Sequence, residues 1–246
     1  MLSPINVPSL KDVFVKQLEE LILSNKLTVG EMLPSERELA TQMGVSRPVV
    51  HDGLMDLAAK GLVTIKPRVG TVINDYRKEG SLAMLSTLIN HQWKQADPAL
   101  LDSLLSFRQL VESETARLAA LTRTDDDLKE LHRLLQREAG VENAPAATVA
   151  ELDFEFHHRV ALASGNIIYP MMLKSFEPAY TDLTTIFFSR REVLPVVVRF
   201  HRDLVEAIEA RDEKRSMAVM KKTLIHGVEV LTAALADTAK DRKEDR

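Results

Sequence analysis

The sequence contains no cysteine among its 246 residues, which excludes disulfide bonds and zinc sites built on thiolates. Aromatic residues make up only 5% of the chain, and no apolar run approaches the roughly 20 residues that a membrane-spanning helix needs. The first residues lack the basic start and apolar core of a signal peptide. A cytoplasmic protein with no membrane partner is therefore expected.

Catalytic motifs are also absent. The sequence has no phosphate-binding loop, no HExxH pair and no nucleophile motif, so an enzyme is not indicated. The formal net charge of −4 argues against a protein whose whole surface meets nucleic acid, but it is compatible with a local basic surface on one domain. The length is enough for two modest domains.

The most informative segment begins with two predicted helices between residues 30 and 61. Ser35 and Glu38 form a capping box, which predicts that a helix starts there. Gly44 ends this helix, and Ser46 is a suitable N-cap for the next one. Apolar residues then recur at helical spacing. Two helices joined by a tight turn containing glycine are typical of a helix-turn-helix.

Two short strands are predicted directly after these helices. Residues 62–65 and 71–73 are β-branched and apolar, and the turn between them, residues 66–70, is basic. The pattern predicts a two-stranded wing, so the amino-terminal part of the chain is expected to be a winged helix-turn-helix.

The placement of polar residues in this segment favours DNA binding. Ser46 and Arg47 stand at the start of the second helix, the end that a recognition helix offers to base edges. Arg37 on the preceding helix can contact backbone or base, and Arg68 at the wing tip can enter a minor groove. One isolated arginine is more often a solvated surface charge. Four features aligned with a helix-turn-helix and a wing favour the DNA hypothesis.

The segments LPSERELA, GVSRPVV, KGLV and PRVGT resemble the winged-helix domain of the GntR family of bacterial transcription regulators, over roughly residues 8–75. The resemblance implies a double-stranded DNA operator as partner and a DNA surface that also includes Val49, His51 and Gly70. His51 stands where relatives often carry an arginine that contacts DNA. A neutral imidazole carries no fixed charge, so altered sequence preference or lower affinity is expected.

The remainder of the chain has the pattern of helices without strands. The expected fold is mainly α: a winged helix-turn-helix domain at residues 1–75, a polar linker at 76–80, and an all-α antiparallel helical bundle at 81–246 for effector binding and dimerisation. Within the bundle, Thr148 with Glu151 predicts the start of a helix that ends near Ser164. Asn166 is expected to cap the next helix.

The second half is similar to the FCD type of effector domain found in FadR-like GntR regulators. The matching segments are RQLVE at 108–112, ARLAA at 116–120, DFEFH at 153–157, ASGN at 163–166, and His201 followed by EAI at 206–208. The resemblance implies a ligand-responsive regulator, a repressor, that responds to a small organic acid such as a sugar acid or hydroxy acid. Since FadR relatives that bind acyl-CoA generally lack the metal set, a metal-free acyl-CoA regulator is an alternative.

Asp153 and His157 are candidate metal ligands because they lie four residues apart, on the same face of one predicted helix. A carboxylate with an imidazole can bind zinc, nickel or manganese, although such a pair alone is more often a helix salt bridge. The resemblance implies His201 as the next ligand. Counting without gaps puts Thr223 where the family has its last ligand histidine, and His226 follows three residues later.

Three alternatives follow: a divalent metal with three protein ligands and waters, a metal that recruits His226, or no metal. We expect a metal on Asp153, His157 and His201, with Thr223 making a weak or water-mediated contact and His226 as the candidate fourth ligand.

Arg108 is the second ligand-binding candidate beside Thr223. It lies on a helix whose other face is apolar, so partial burial beside an anion is expected. Two interpretations of Arg108 remain: an internal salt bridge to Glu112 or Asp153, and a two-pronged contact with a ligand carboxylate.

A ligand-responsive transcription regulator is the leading hypothesis. A metal-dependent helical enzyme with an accessory DNA-binding domain is an alternative, because the ligand set could hold a metal-activated water. A homodimer is expected, since a single winged helix covers only a few base pairs.

Overall fold

The computed structural model describes residues 8–92 and 98–244. Within them the chain forms twelve α-helices and one two-stranded antiparallel sheet, which confirms the predicted mainly α fold. It divides into two compact units, Met1–Ala96 and Asp97–Arg246. None of the described helices is both long and apolar enough to cross a membrane.

The first unit contains the predicted helix-turn-helix and wing. Its elements are α1 (Leu10–Leu23), α2 (Glu36–Met43), α3 (Arg47–Ala59), β1 (Val63–Lys66), β2 (Gly70–Ile73), α4 (Tyr76–Glu79) and α5 (Leu82–Gln92). In the wing, Val63 pairs with Ile73 and Lys66 with Gly70. The winged helix-turn-helix is therefore confirmed.

Capping fixes the position of α2. The Ser35 hydroxyl accepts from the Glu38 N–H at 3.3 Å, and the Glu38 carboxylate accepts from the Ser35 N–H at 2.9 Å. Gly44 ends the helix in the left-handed conformation, with φ of 65°. Because glycine has no Cβ, it adopts this conformation without the steric cost that other residues bear. The tight turn into α3 follows from this.

A close helix contact organises the core of the first unit. Phe14 of α1 is 1% exposed, and a Cβ at Gly53 of α3 would overlap its ring. Glycine at this position therefore lets α3 approach α1 closely.

Two elements follow the wing within the first unit. The segment 76–80 was predicted as a linker, but most of it forms the single turn α4. The Asp75 side chain caps this turn by accepting from the N–H of Arg77. Helix α5, placed in the second domain by the sequence analysis, contacts α1. Met84 is buried in the core of the first unit, and Leu88 packs against that core.

The second unit is helical throughout its described residues. Its elements are α6 (Pro98–Thr122), α7 (Asp125–Glu138), α8 (Ala146–Ala163), α9 (Ile168–Ser175), α10 (Glu177–Phe188), a 3-10 turn (Arg191–Val193), α11 (Leu194–Glu209) and α12 (Glu213–Glu244). Arg117 near the end of α6 pairs with Glu213 at the start of α12, so these two helices run antiparallel. The predicted helical bundle is confirmed.

Two helix boundaries differ from the expectation. The start predicted at Thr148 is wrong, because α8 already begins at Ala146 after the extended residue Pro145. Asn166 does cap the next helix, since its side-chain oxygen accepts from the N–H groups of Ile168 and Tyr169.

Candidate functional site

The amino-terminal end of α3 presents free polar groups. Ser46 and Arg47 are exposed, and the Ser46 hydroxyl, although at the N-cap, makes no capping hydrogen bond. Val49 is half-buried one turn further on. The helix therefore offers an unengaged hydroxyl and a guanidinium at the end that recognition helices turn toward bases.

The wing turn carries Arg68 in a strained conformation. Its φ is 64°, in the left-handed region, and its side chain is exposed. Non-glycine residues in this region cost on the order of 1 kcal/mol or more. Gly70 follows with φ of 136°, and a Cβ there would come within 3.3 Å of the Met32 sulfur.

Three arginines of the first unit are distinguished by their lack of partners. Within the described residues, the guanidinium groups of Arg37, Arg47 and Arg68 form no ion pair, whereas Arg77 in the same unit pairs with Asp75. All three are exposed. A cation without a protein partner is available to phosphate groups, so these side chains suit a nucleic-acid surface.

His51 differs from these arginines because it has a partner. Its Nδ1 lies 2.9 Å from Oε1 of Glu36, which is on α2. The hydrogen bond and the charge of Glu36 raise the pKa of His51 above its ordinary value, with a small further contribution from Asp52. The imidazole is thereby biased toward its cationic form.

In the second unit, three predicted metal ligands come together. Asp153 and His157 lie on one face of α8, and His201 lies on α11; all three are buried, and one ligand atom of each lies within 4.8 Å of the others. Nε2 of His201 is 3.7 Å from Oδ1 of Asp153 and has no hydrogen-bond partner among the described residues. We call these three residues the ligand cluster.

A buried glutamate holds the His201 imidazole by its other nitrogen. Oε1 of Glu138 forms a hydrogen bond with Nδ1 of His201 at 2.7 Å. Carboxylates placed in this way in metal sites fix the tautomer and leave Nε2 for the metal. Oε2 of Glu112 lies 2.5 Å from Nδ1 of His157, but among the described residues this contact lacks the geometry of a hydrogen bond, so only the His201 ring is oriented in this way.

The remaining polar contact of the cluster is made by Tyr180 of α10. Its hydroxyl donates to Oδ2 of Asp153 at 2.6 Å, so Oδ1 is left on the side of His201. Burial raises the pKa of Tyr180 well above its ordinary value. The phenol therefore remains a hydrogen-bond donor.

Arg108 forms the salt bridge that the sequence analysis considered. Its Nε donates to Oε1 of Glu112 at 2.6 Å, and its guanidinium stacks on the Tyr180 ring at 4.1 Å. Burial alone would raise the pKa of Glu112, but the charges of Arg108 and His157 lower it to about 2. Within the described residues this is the only hydrogen bond of the guanidinium, so its terminal nitrogens are available to a ligand.

The charges around the cluster do not balance. The carboxyl groups of Glu112, Glu138 and Asp153 are buried, with Arg108 as their neighbouring guanidinium. When all three are ionised and both imidazoles are neutral, as metal ligands are, the negative charge exceeds the positive charge by two; two cationic imidazoles would remove that excess. Buried charge of this kind is costly unless it is compensated, and a divalent cation would compensate it.

The two candidates on α12 lie in different places. Thr223 lines the cavity beside the cluster. His226 lies apart from the cluster, with its ring centroid 6.2 Å from that of Phe187 and 5.8 Å from that of Phe200. Three residues advance a helix by about 4.5 Å, nearly one turn, which carries His226 along α12 away from the cluster. The structure therefore does not join His226 to the other three predicted ligands.

A small cavity of about 40 Å³, partly open to solvent, adjoins the cluster. The polar side chains that line it are Arg108, Asp153, His157, Thr184 and Thr223. The rest of the wall is apolar: Leu105, Leu183, Phe187, Val197, Leu224, Gly227, Val228 and Leu231.

Sequence reasoning missed two residues of this site. Glu138 lies 63 positions before His201, so no local spacing connects them. Tyr180 belongs to α10, which the sequence analysis did not separate from α9. The Glu177-Pro178 pair was an available signal, because proline is common in the first turn of a helix.

Comparison with protein families gives two matches. Residues 10–73 match the bacterial regulatory proteins of the gntR family, and residues 103–226 match the FCD domain. The second match alone covers half of the chain, and the two matches fall within the two compact units.

Named relatives are similar along most of their length. The fatty acid metabolism regulator protein of Shewanella denitrificans is 29% identical over 234 residues, which is 94% of both chains. Its counterpart in Shewanella amazonensis is 32% identical over 77% of this chain and 76% of that protein.

Solved structures resemble the fold. A Streptococcus agalactiae GntR structure has a TM-score of 0.50 at 25% identity and covers 89% of this chain and 98% of its own. The structure of Lar, which controls expression of the Listeria monocytogenes agr system, has a TM-score of 0.61 at 17% identity, with coverage of 94% and 99%.

Proposed function

This chain belongs to the gntR family of bacterial regulators with an FCD domain, and is thus a ligand-responsive DNA-binding transcription regulator; we propose that its effector is a carboxylate bound at a divalent metal ion. The metal is held by Asp153, His157 and His201. Zinc, nickel and manganese all accept this donor set.

One observation carries the metal proposal. Nε2 of His201 is buried without a partner, while Glu138 occupies the other nitrogen of the same ring. A buried nitrogen without a hydrogen bond costs free energy, and a metal ion would remove that cost. When the two imidazoles are neutral ligands, a cation here also offsets the charge of the buried carboxylates.

The protein's own residues orient the effector. A bound metal ion supplies Lewis-acidic positions for an anionic ligand. Arg108, kept cationic by Glu112, offers its terminal nitrogens to the same carboxylate. Thr223 contributes a hydroxyl at the edge of the site.

We also propose that the operator is bound by the exposed groups of the first unit: Arg37, Ser46, Arg47, Val49, His51, Arg68 and Gly70. Effector binding releases the operator, so the regulator acts as a repressor, and the cluster binds its ligand without transforming it. The unpaired arginines of α2, α3 and the wing support this assignment.

Metal retention tests the central part of the proposal. After reconstitution with nickel and desalting, elemental analysis should find about one ion per wild-type chain. His157→Ala and His201→Ala should lose it. Glu138→Gln should weaken binding by roughly 10–100-fold, because the imidazole of His201 loses its orienting partner.

His226→Ala is the matched control, since it removes a histidine outside the cluster and should retain the ion. Wild-type protein that holds no more metal than His157→Ala would overturn the metal proposal. Incubation of the loaded protein with small acids and esters should show no turnover; saturable turnover would favour the enzyme alternative.

A further inference from the structure

Tyr180 contacts both parts of the proposed effector site. It belongs to α10, whereas the metal ligand Asp153 belongs to α8 and the anion-binding candidate Arg108 belongs to α6. The Tyr180 side chain is only 3% exposed. It is not one of the proposed metal ligands, so its contribution depends on the side chains that it holds in place.

The hydroxyl of Tyr180 fixes the Asp153 carboxylate. It donates to Oδ2 at 2.6 Å, while Oδ1 of the same carboxylate lies 3.7 Å from Nε2 of His201. A hydrogen bond to a ligating carboxylate restrains its rotation and engages the oxygen that accepts it. The contact therefore favours ligation through Oδ1 alone.

The ring of Tyr180 supports Arg108. The central carbon of the guanidinium lies 4.1 Å from the ring centroid, which is within the range of a cation–π contact. Nε of the same guanidinium donates to Oε1 of Glu112 at 2.6 Å. A guanidinium held at Nε and across one face has little rotational freedom left, so its terminal nitrogens are already ordered before a ligand binds.

Aromatic packing holds the Tyr180 ring itself. Phe154 of α8 meets it edge to face with the ring centroids 5.1 Å apart, and the His157 ring lies 6.0 Å away. Aromatic pairs at such distances are stabilising. The ring is thereby anchored to the helix that carries Asp153 and His157, while its face supports a side chain of another helix.

We infer that Tyr180 is a positioning residue with two separable roles. Its hydroxyl restricts Asp153 to ligation by one oxygen, which keeps a coordination position open for the effector. Its ring holds Arg108 in place to bind the carboxylate of that effector. This inference rests on the proposed metal-bound carboxylate, and it assigns the link between metal binding and anion binding to one side chain of α10.

Two substitutions separate the roles, because Tyr180→Phe removes the hydroxyl and keeps the ring, whereas Tyr180→Leu removes both. Each full-length variant would be loaded with cobalt(II), whose visible spectrum reports the number and geometry of its ligands. Acetate is then titrated as the anion probe.

Tyr180→Phe should change the cobalt spectrum, because Oδ2 of Asp153 becomes free to bind the ion. Its acetate affinity should fall by a few-fold, since the open position is partly filled. Tyr180→Leu should show the same change of spectrum and lose roughly a further tenfold in acetate affinity, because Arg108 loses the ring that supports it.

Tyr169→Phe is the matched control, since it removes a tyrosine hydroxyl from α9 in the same unit, outside the ligand cluster. It should keep the wild-type cobalt spectrum and acetate affinity. A loss of packing alone would not produce a change of cobalt spectrum that Tyr180→Phe and Tyr180→Leu share.

Each role can fail independently of the other. A wild-type cobalt spectrum in Tyr180→Phe would overturn the role of the hydroxyl, and equal acetate affinity in Tyr180→Phe and Tyr180→Leu would overturn the role of the ring. If Tyr180→Leu does not fold, Arg108→Lys replaces it, since lysine keeps the charge but lacks the planar group that stacks. Undiminished acetate binding in that variant would then overturn the role of the ring.

The wild-type protein separates this inference from the proposal on which it rests. Wild-type protein that binds no cobalt would overturn the metal proposal, and wild-type protein that binds cobalt but not acetate would overturn the proposed carboxylate. Binding of both by the wild type, with no effect of either Tyr180 substitution, would overturn the positioning inference alone.

Discussion

Arg68 occupies a left-handed backbone position where glycine would be unstrained. Arg68→Gly should raise the free energy of unfolding by up to about 1 kcal/mol, because relief of strain exceeds the entropy cost of glycine. The same change should weaken operator binding and reduce the salt slope by about one charge. Urea denaturation and mobility shifts over a salt series measure the two effects.

Arg68→Ala separates the two contributions. It removes the charge but keeps the left-handed strain, so it should lose operator affinity without gaining stability. Arg68→Gly with wild-type affinity and salt slope would show that the wing tip does not meet DNA.

His51 should make operator affinity depend on pH. Glu36 raises the pKa of the imidazole, so the charge is present below that pKa and is lost as pH rises through it. Binding should therefore weaken as pH increases through the raised pKa of His51. His51→Arg should bind more tightly and lose this dependence, because its charge is fixed. Fluorescence anisotropy with labelled operator measures the affinity at each pH. An unchanged pH slope in His51→Gln would exclude His51 as the cause of the pH dependence.

At the scale of single residues, the sequence predicted which side chains come together in the ligand cluster, but not the glutamate that supports them. Asp153 and His157 were visible as a pair one helical turn apart, and His201 by resemblance. Glu138 was not, because its contact with His201 depends on how α7 packs against α11. Such contacts depend on tertiary packing, so the spacing of residues in the sequence does not reveal them.

At the scale of elements, α5 gives a test of packing. Met84 is 2% exposed in the core of the first unit. Met84→Ala should lower the free energy of unfolding of that unit by about 2–4 kcal/mol, since it leaves a cavity. Leu82→Ala, at a side chain 62% exposed on the same helix, is the control and should change it by less than about 0.5 kcal/mol. Native-state hydrogen exchange measures the stability of the first unit separately. Equal losses of stability in the two variants would mean that α5 does not contribute to the core of that unit.

Helix starts with a strong local cap follow from the sequence. The capping box predicted at Ser35 and the cap predicted at Asn166 are both present, and reciprocal capping boxes also start α1 at Ser9 and α7 at Thr124. At α8 the Thr148–Glu151 pair imitated a capping box inside a helix that starts after Pro145. The separation of α9 from α10 at Phe176 is marked in the sequence only by Pro178 in the first turn of α10. Local signals fix a helix end only where one signal dominates.

At the scale of the whole molecule, the formal charge of −4 is compatible with DNA binding because the two units place their charges differently. Unpaired arginines are exposed in the first unit, while carboxylates are buried around the ligand cluster in the second. Net charge was therefore a weak guide to DNA binding in this chain. The local pattern of arginines around the helix-turn-helix was the informative quantity.

We predict that the functional molecule is a homodimer joined mainly through the helical second unit. One winged helix reads only a few base pairs, and a two-fold axis doubles both the base contacts and the neutralised phosphates. The operator should then be a short imperfect palindrome. Altering one half-site should lower affinity sharply, and the salt slope should correspond to twice the phosphate contacts of one unit. Light scattering at micromolar concentration measures the mass, and a monomer that retains full operator affinity would contradict the prediction.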